Sequence, residues 1–197
     1  MAEWIVAFVE AHGYLGIAAL MLLENVFPPI PSELIMPLAG FTAARGHLHV
    51  AGVVAAGTVG SLLGTLPWYF AGRALGAERL KRWAGRHGRW LTVAPDDIDR
   101  ALRWFDRRGP AVVALGRLVP AVRSVISAPA GVAHMSLPKF LMWSTAGSLV
   151  WAIAMTTLGW LLQSHYTKVG TWIDPVAKMI VVAALAAYLW RVIRFKG

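Results

Sequence analysis

Four charged side chains stand in otherwise apolar stretches of the sequence. Glu24 and Glu33 bracket a proline-rich segment, and Arg117 and Arg123 lie on either side of Pro120 in a second broken segment. A charge at the centre of a bilayer costs roughly 2.5 to 3.5 kcal/mol on insertion scales. A chain that carries four such charges must compensate for them by pairing or by a water-filled cavity. We therefore take these four residues as the candidate functional site.

The two residue types suit two different tasks. Low-dielectric surroundings favour the neutral form of a carboxyl group, which brings proton uptake and release within reach of physiological pH. Glu24 and Glu33 are therefore candidates for proton coupling. A guanidinium stays charged and holds a phosphate through two parallel hydrogen bonds, so Arg117 and Arg123 are candidates for binding a phosphate headgroup. Alternatively, Glu–Arg pairs would only hold the two segments together.

Several neighbouring residues are candidates for a supporting role. Asn25 is expected to hydrogen-bond across its segment, and Tyr69 to offer a hydroxyl group to a cavity. Prolines free backbone carbonyl groups, which is tolerated at membrane depth where the backbone is buried in protein or lines a cavity. The supporting set consists of Asn25, Pro28, Pro31, Tyr69, Pro120 and Gly131.

Metal and nucleophile chemistry have little support in the sequence. There is no cysteine, and the six histidines show no metal-ligand grouping beyond the weak pair His47 and His49. Ser124 and Ser127 follow Arg123, but no plausible base is positioned beside them. We therefore expect no metal, no cofactor and no enzymatic reaction.

The elements that position these residues are predicted to be membrane helices. The 197 residues are 57% hydrophobic with a mean hydropathy of +0.57, above what a soluble domain usually shows. The net charge is +9, but ten of the 19 Lys and Arg residues lie between Arg73 and Arg108. Such clustering is typical of a cytoplasmic segment under the positive-inside rule and argues against nucleic acid as a partner.

The apolar segments differ in length and continuity. Residues 4–27, 47–72 and 137–163 are long enough to span a bilayer, whereas 28–43 and 110–134 are broken by prolines and charges. We predict the broken segments to be re-entrant helical hairpins in an all-α membrane protein. The predicted organisation is one membrane domain over 1–197. A first repeat over 1–72 contains the re-entrant segment 28–43, and a second repeat over 109–163 contains the re-entrant segment 110–134. A basic cytoplasmic loop over 73–108 joins the repeats, and a C-terminal span over 173–194 follows.

A weak internal repeat supports two opposed hairpins. Residues 60–63 (GSLL) recur as 147–150 (GSLV), and Ala39-Gly40 recurs as Ala130-Gly131. With the basic loop inside, both termini are cytoplasmic, and the two hairpins enter from opposite sides. That arrangement is an inverted repeat, on which many transporters build a site near the bilayer midplane.

The basic loop contains a predicted amphipathic helix that begins at Pro95. Its apolar residues recur at helical spacing from Ile98 to Phe105, and arginines flank them. Such a helix either lies on an anionic inner leaflet or packs on the protein itself, and the sequence leaves both interpretations open. The glycine-rich third segment leaves room for close helix contact, including a homodimer.

The sequence resembles the DedA family of membrane proteins, whose domain is also called the SNARE-associated or VTT domain. The resemblance rests on the block from Glu24 to Pro31-Ser32-Glu33, on residues 60–76, and on residues 116–123 (GRLVPAVR) leading to Ala130-Gly131. It covers residues 14–160. It implies two re-entrant hairpins that face each other, acidic residues at the positions of Glu24 and Glu33, and essential arginines at the positions of Arg117 and Arg123.

The resemblance also implies a function. Some bacterial members are implicated in returning undecaprenyl phosphate across the cytoplasmic membrane, and members depend on the proton-motive force. We therefore expect a multi-pass protein of the bacterial cytoplasmic membrane that translocates undecaprenyl phosphate or a related phospholipid, coupled to protons. The alternatives are a proton-coupled transporter of a small ion or solute, and a scaffold that transports nothing.

Overall fold

The computed structural model describes residues 2–27, 32–91 and 95–161 of the chain. Secondary structure in these ranges is helical without strands, which confirms the predicted all-α class. The helices are α1 (Ala2–Val26), α2 (Ser32–Ala44), α3 (Val50–Leu91), α4 (Pro95–Leu118), α5 (Pro120–Arg123), α6 (Ser127–Val132) and α7 (Leu137–Leu161).

Three helices in the described part of the chain are long and apolar enough to cross a membrane. They are Trp4–Val26 in α1, Val50–Arg82 in α3 and the whole of α7. Large apolar side chains on these helices point outward; Leu15 is 82% exposed and Leu161 is 62% exposed. Because hydrocarbon is the favourable surrounding for such side chains, the three long apolar segments of the sequence are confirmed as candidate spans.

Two of these helices bend at a glycine. Gly13 in α1 has a φ of 57°, and Gly76 in α3 has a φ of 68°, a conformation that glycine adopts without steric cost. The bend at Gly76 follows the predicted end of the span at Gly72 by one turn. Beyond the bend, α3 continues to Leu91, so the helix is longer than the apolar pattern predicts.

The two proline-containing segments form short helices. α2 has 13 residues, about 20 Å at 1.5 Å per residue, which is too short to cross a bilayer. In the second segment the chain breaks at Val119, which is extended (φ −95°, ψ 115°) before Pro120 begins α5, as expected for a residue that precedes proline. Residues 28–31, the first four of the predicted hairpin 28–43, and the predicted span 173–194 lie outside the described residues.

The basic amphipathic helix begins at Pro95 as predicted and packs its apolar side on the protein. Ile98 and Phe105 are buried, whereas Trp104 is 58% exposed. Phe105 joins a buried cluster with Val113 and other residues of the second half. The contacts therefore favour the second of the two interpretations for the apolar stripe, packing on the protein.

Each short region packs on the long helix of the other half. Gly40 in α2 lies against the carbonyl group of Thr156 in α7, and Gly131 in α6 lies against the carbonyl group of Tyr69 in α3. Both approaches are so close that a Cβ atom would overlap the facing backbone. Only glycine permits such contact between helices, so these two glycines allow α2 and α6 to pack closely on α7 and α3.

An apolar core fills the space where α1, α2, α3 and α7 meet. Its buried members include Ile17, Leu20, Ile35, Val53 and Trp151. Because lipid tails are as apolar as these side chains, close van der Waals packing, and not withdrawal from water, is what stabilises such a core between membrane helices. Trp151 lies in this core and also contacts the guanidinium group of Arg123.

Candidate functional site

Glu24 and Arg123 form a buried ion pair between the two halves of the chain. Glu24 is in the last turn of α1, and Arg123 ends α5. Glu24 Oε2 lies 2.6 Å from an Arg123 terminal nitrogen, and the two side chains are 5% and 3% exposed. The Arg123 guanidinium also lies 4.0 Å from the ring centre of Trp151, where a cation is attracted to the aromatic face.

Arg117 is buried beside this pair but bonds to neutral groups. It is 1% exposed, its Nη1 donates to Asn25 Oδ1 at 3.2 Å, and its Nη2 donates to Ser127 Oγ at 3.4 Å. Within the described residues no carboxylate lies at ion-pair distance from Arg117. The charges of Arg123 and Glu24 still act on it, the first repulsive and the second attractive.

Asn25 joins the Glu24–Arg123 pair to Arg117, and these four residues form the buried centre. Its side-chain Nδ2 is 2.8 Å from Glu24 Oε2 and 3.3 Å from Ser61 Oγ, and its backbone carbonyl accepts a hydrogen bond from Trp68 Nε1 at 3.0 Å. Asn25 is fully buried. Its amide therefore touches a carboxylate with its donor end and Arg117 with its acceptor end, which fixes the amide orientation. The supporting role predicted for Asn25 agrees with this position.

The described residues of the centre contain two guanidinium groups and one carboxylate. The Nε atoms of Arg117 and Arg123 are buried and have no hydrogen-bond partner in the described part of the chain. Buried charges are usually both paired and hydrogen-bonded because desolvation is expensive. The centre therefore has positive charge and donor groups in excess, a combination that can hold an anion.

Glu33 lies outside this cluster. It is in the first turn of α2, where the helix dipole favours an acidic side chain. Its side chain is exposed, and no ion pair of Glu33 occurs among the described residues. The structure thus brings together three of the four charges singled out in the sequence.

Tyr69 is buried, but none of its described hydrogen bonds is to Arg117 or Arg123. Its hydroxyl group donates to the carbonyl of Met135 and accepts a hydrogen bond from Arg73 Nη1 at 2.8 Å. Its ring stacks on Phe140 with a centroid separation of 4.6 Å. Tyr69 therefore ties α3 to the connection between α6 and α7, and its position is next to the contact of Gly131. Of the other supporting candidates, Pro120 begins α5, and Pro28 and Pro31 lie outside the described residues.

Three residues contact the centre although the sequence did not single them out for this role. Ser127 accepts from Arg117, Ser61 contacts Asn25, and Trp151 stacks on Arg123. Ser61 belongs to the repeated motif GSLL, which is the one signal that indicates it. Serine and tryptophan are common in apolar segments without any functional role, so the sequence does not indicate Ser127 or Trp151. Only the folded chain brings them to the arginines. In the described ranges no group of three or more His, Asp or Glu residues could hold a metal ion.

The chain is similar to bacterial membrane proteins over nearly its whole length. An alkaline phosphatase-like protein of Lactococcus lactis subsp. cremoris (strain MG1363) is 42% identical over 182 residues, covering 92% of this chain and 85% of that protein. Undecaprenyl phosphate transporter A of Staphylococcus aureus (strain NCTC 8325 / PS 47) is 32% identical over 197 residues, covering 100% and 97%. Undecaprenyl phosphate transporter A of Bacillus subtilis (strain 168) is 30% identical over 188 residues, covering 93% and 90%. No solved structure matches the chain.

The VTT domain matches residues 30–161, a range that holds both arginines of the centre and two of the three candidate spans. The relatives are bacterial, and three of the described helices are long and apolar enough to cross a membrane. The chain is therefore a multi-pass bacterial membrane protein, and it belongs to the VTT domain family, known also as the DedA family.

Proposed function

We propose that this protein translocates a lipid phosphate across the bacterial cytoplasmic membrane and thereby returns a carrier lipid, undecaprenyl phosphate or a related phospholipid, for reuse. The observation that carries the proposal is the buried centre in which Arg117 and Arg123 face one carboxylate, Glu24. The transporter names of the relatives from Staphylococcus aureus and Bacillus subtilis agree with it. In this proposal the protein acts as a transporter and not as an enzyme.

A phosphate group would balance the excess positive charge of the centre. Arg117 is held by an amide and a hydroxyl group, and no carboxylate among the described residues neutralises its charge directly. A phosphate anion placed between the two guanidinium groups would supply the missing negative charge and accept hydrogen bonds from Nε atoms that are buried. Charge-assisted bonds of this kind are about twice as strong as neutral ones.

Proton coupling would follow from competition for Arg123. The Glu24 carboxylate and a lipid phosphate need the same guanidinium group, and Glu24 holds it here at 2.6 Å. Protonation of Glu24 removes its negative charge and frees Arg123 for the phosphate, so proton binding and phosphate binding favour each other. Glu33, exposed at the start of α2, would exchange protons with the aqueous side. The two glutamates would thus keep the roles that their sequence surroundings indicate.

An inverted repeat with two opposed re-entrant hairpins would position this centre near the bilayer midplane. Its support is reciprocal packing: the repeated positions Gly40 and Gly131 contact Thr156 and Tyr69, which are themselves 87 residues apart. That separation equals the offset between the repeated motifs of α3 and α7. In this proposal the basic residues 73–108 and both termini are cytoplasmic, residues 1–197 form one domain, and the glycine-rich faces allow a homodimer.

A second candidate is proton-coupled transport of a small ion or solute. The Glu24–Arg123 pair favours it, because an arginine that neutralises a carboxylate need not bind a lipid. The name of the Lactococcus lactis relative also makes phosphate release worth measuring. Solute uptake that does not depend on the lipid headgroup would support the second candidate, and inorganic phosphate released from the lipid would support an enzyme.

The first test is thermal unfolding of the full chain in detergent with undecaprenyl phosphate or undecaprenol. A ligand that binds only the native state raises the apparent stability, so we expect stabilisation by the phosphate form alone. Arg117→Ala and Arg123→Ala should each lose it, and Arg107→Ala, an exposed arginine of α4, should keep it. Stabilisation that is equal for both lipids, or that survives both buried substitutions in folded protein, would contradict the proposal.

A further inference from the structure

One face of α7 carries polar side chains that no part of the mechanism above uses. Ser144 and Ser148 lie four residues apart, and Gly147 and Trp151 lie on the same face at helical spacing. Ser144 is fully buried, and Ser148 is 5% exposed. The face is therefore an interior surface of the protein and does not contact lipid.

The hydroxyl groups of both serines lack a hydrogen-bond partner in the described part of the chain. Serine and threonine in helices commonly bond to the carbonyl group four residues earlier. Thr145, next to Ser144 on the same helix, does this with Leu141 at 2.7 Å, and Thr58 in α3 does it with Val54 at 2.8 Å. Leaving a buried hydroxyl group without a partner costs stability, so the two serines are unfavourable for the fold by themselves.

The same face of α7 contacts both arginines. A Cβ atom added to Gly147 would lie 2.7 Å from the Cβ atom of Arg117, and the ring of Trp151 lies 4.0 Å from the guanidinium carbon of Arg123. Ser148 is adjacent to Gly147 and less than one turn from Trp151. Ser148 therefore lies between the two positions of α7 that contact Arg117 and Arg123, and Ser144 lies one turn earlier on the same face. The Nε atoms of both arginines also lack a hydrogen-bond partner among the described residues.

We propose that Ser144 and Ser148 are binding residues that select a phosphate monoester lipid over a phosphodiester lipid. This inference rests on the proposed function, since it assigns further donors to the same phosphate. A monoester phosphate presents three terminal oxygen atoms and a charge near −2, whereas the phosphate of a diester phospholipid has two free oxygen atoms and a charge of −1. Two guanidinium groups can satisfy two oxygen atoms, and the serine hydroxyl groups supply donors for the third.

The arrangement gives a test in which stability and binding change in opposite directions. Ser144→Ala and Ser148→Ala each remove a buried hydroxyl group that has no partner and install a better helix former, so the ligand-free protein should unfold at the same or a higher temperature. In the double variant the affinity for undecaprenyl phosphate should fall about ten-fold, because hydrogen bonds to a charged group are lost. Binding of a diester lipid, phosphatidylglycerol, should change less than about three-fold.

Two substitutions on the same helix serve as controls. Thr156→Val removes another buried hydroxyl group without a partner in the described residues, but at the contact with Gly40 in α2. Thr145→Val removes a hydroxyl group that bonds to the backbone. Both should leave the affinities for the two lipids unchanged, which separates a role in binding from a general effect of removing hydroxyl groups from α7.

The outcomes distinguish this inference from the proposed function. If the parent protein binds undecaprenyl phosphate selectively and the double serine variant retains its ratio of monoester to diester affinity, the role of the serines is overturned while the phosphate site stands. An equal loss of affinity for both lipids would overturn the selectivity in the same way. If the parent protein itself shows no phosphate-dependent binding, the proposed function fails first.

Discussion

Arg117 and Arg123 stand on either side of the break between α4 and α5, yet their surroundings differ. Arg123 contacts a carboxylate at 2.6 Å and an aromatic ring at 4.0 Å. Arg117 bonds only to the amide of Asn25 and the hydroxyl group of Ser127 within the described residues. One buried cation thus has a charged partner and the other has neutral partners.

This difference suggests different tasks for the two arginines. A cation held by neutral groups keeps its affinity for an anion, whereas an ion-paired cation must first release its carboxylate. Arg117 would therefore bind the phosphate group directly, and Arg123 would respond to the protonation of Glu24. The following substitutions test whether the two positions really differ in this way.

Arg123→Ala should have the largest effect on stability. Removing one partner of a buried ion pair leaves the other charge insufficiently compensated, which typically costs about 3 to 5 kcal/mol. Chemical unfolding of the purified variant measures this loss. The double variant Arg123→Ala/Glu24→Gln should recover a substantial part of it, because the buried carboxylate is then gone. If the double variant were as unstable as the sum of the two single variants, the ion pair would not be the source of the effect.

Arg117→Ala should destabilise the protein less, by about 1 to 3 kcal/mol, since it breaks bonds to neutral groups only. Its effect on lipid phosphate binding should be at least as large as that of Arg123→Ala. Arg117→Lys should keep the charge but lose the planar fork of donors, so folding should recover more fully than binding. Titration of each folded variant with undecaprenyl phosphate gives the comparison. The reverse order of the two arginines in both assays would contradict the assignment of tasks.

Glu24→Gln should change lipid phosphate binding in the opposite direction from the two arginine substitutions. Glutamine cannot compete as an anion for Arg123, so the affinity for lipid phosphate at neutral pH should rise by about ten-fold, equivalent to 1.4 kcal/mol. The dependence of binding on pH should become flatter, because the carboxyl group that links protons to phosphate is absent. Glu10→Gln, a change in the first half of α1 far from the centre in sequence, serves as the control. An unchanged pH profile in Glu24→Gln would remove Glu24 from the coupling mechanism.

Much of the fold was predictable because apolar length is a local property. Uninterrupted segments such as 47–72 and 137–163 indicate spans by composition alone, and Pro95 with the acidic residues after it indicates a helix start. The full extent of α3 was not predictable, since a second helical stretch follows the non-helical Gly76 and runs into a polar sequence. The candidate site was predictable to the extent that charges in apolar surroundings are conspicuous.

The sequence by itself determined that Glu24, Arg117 and Arg123 must find compensation, because isolated charges in apolar segments are unfavourable wherever the chain folds. Only the tertiary structure decided which charges meet. The pairing of Glu24 with Arg123, the hydrogen bond of Arg117 to Asn25, and the contacts of Gly147 and Trp151 in α7 with the two arginines depend on how the helices pack. Glu33 has the same residue type and a similar proline-rich neighbourhood, yet it stays exposed at the start of α2. Contacts between residues far apart in the chain follow from helix packing, and no local pattern encodes them.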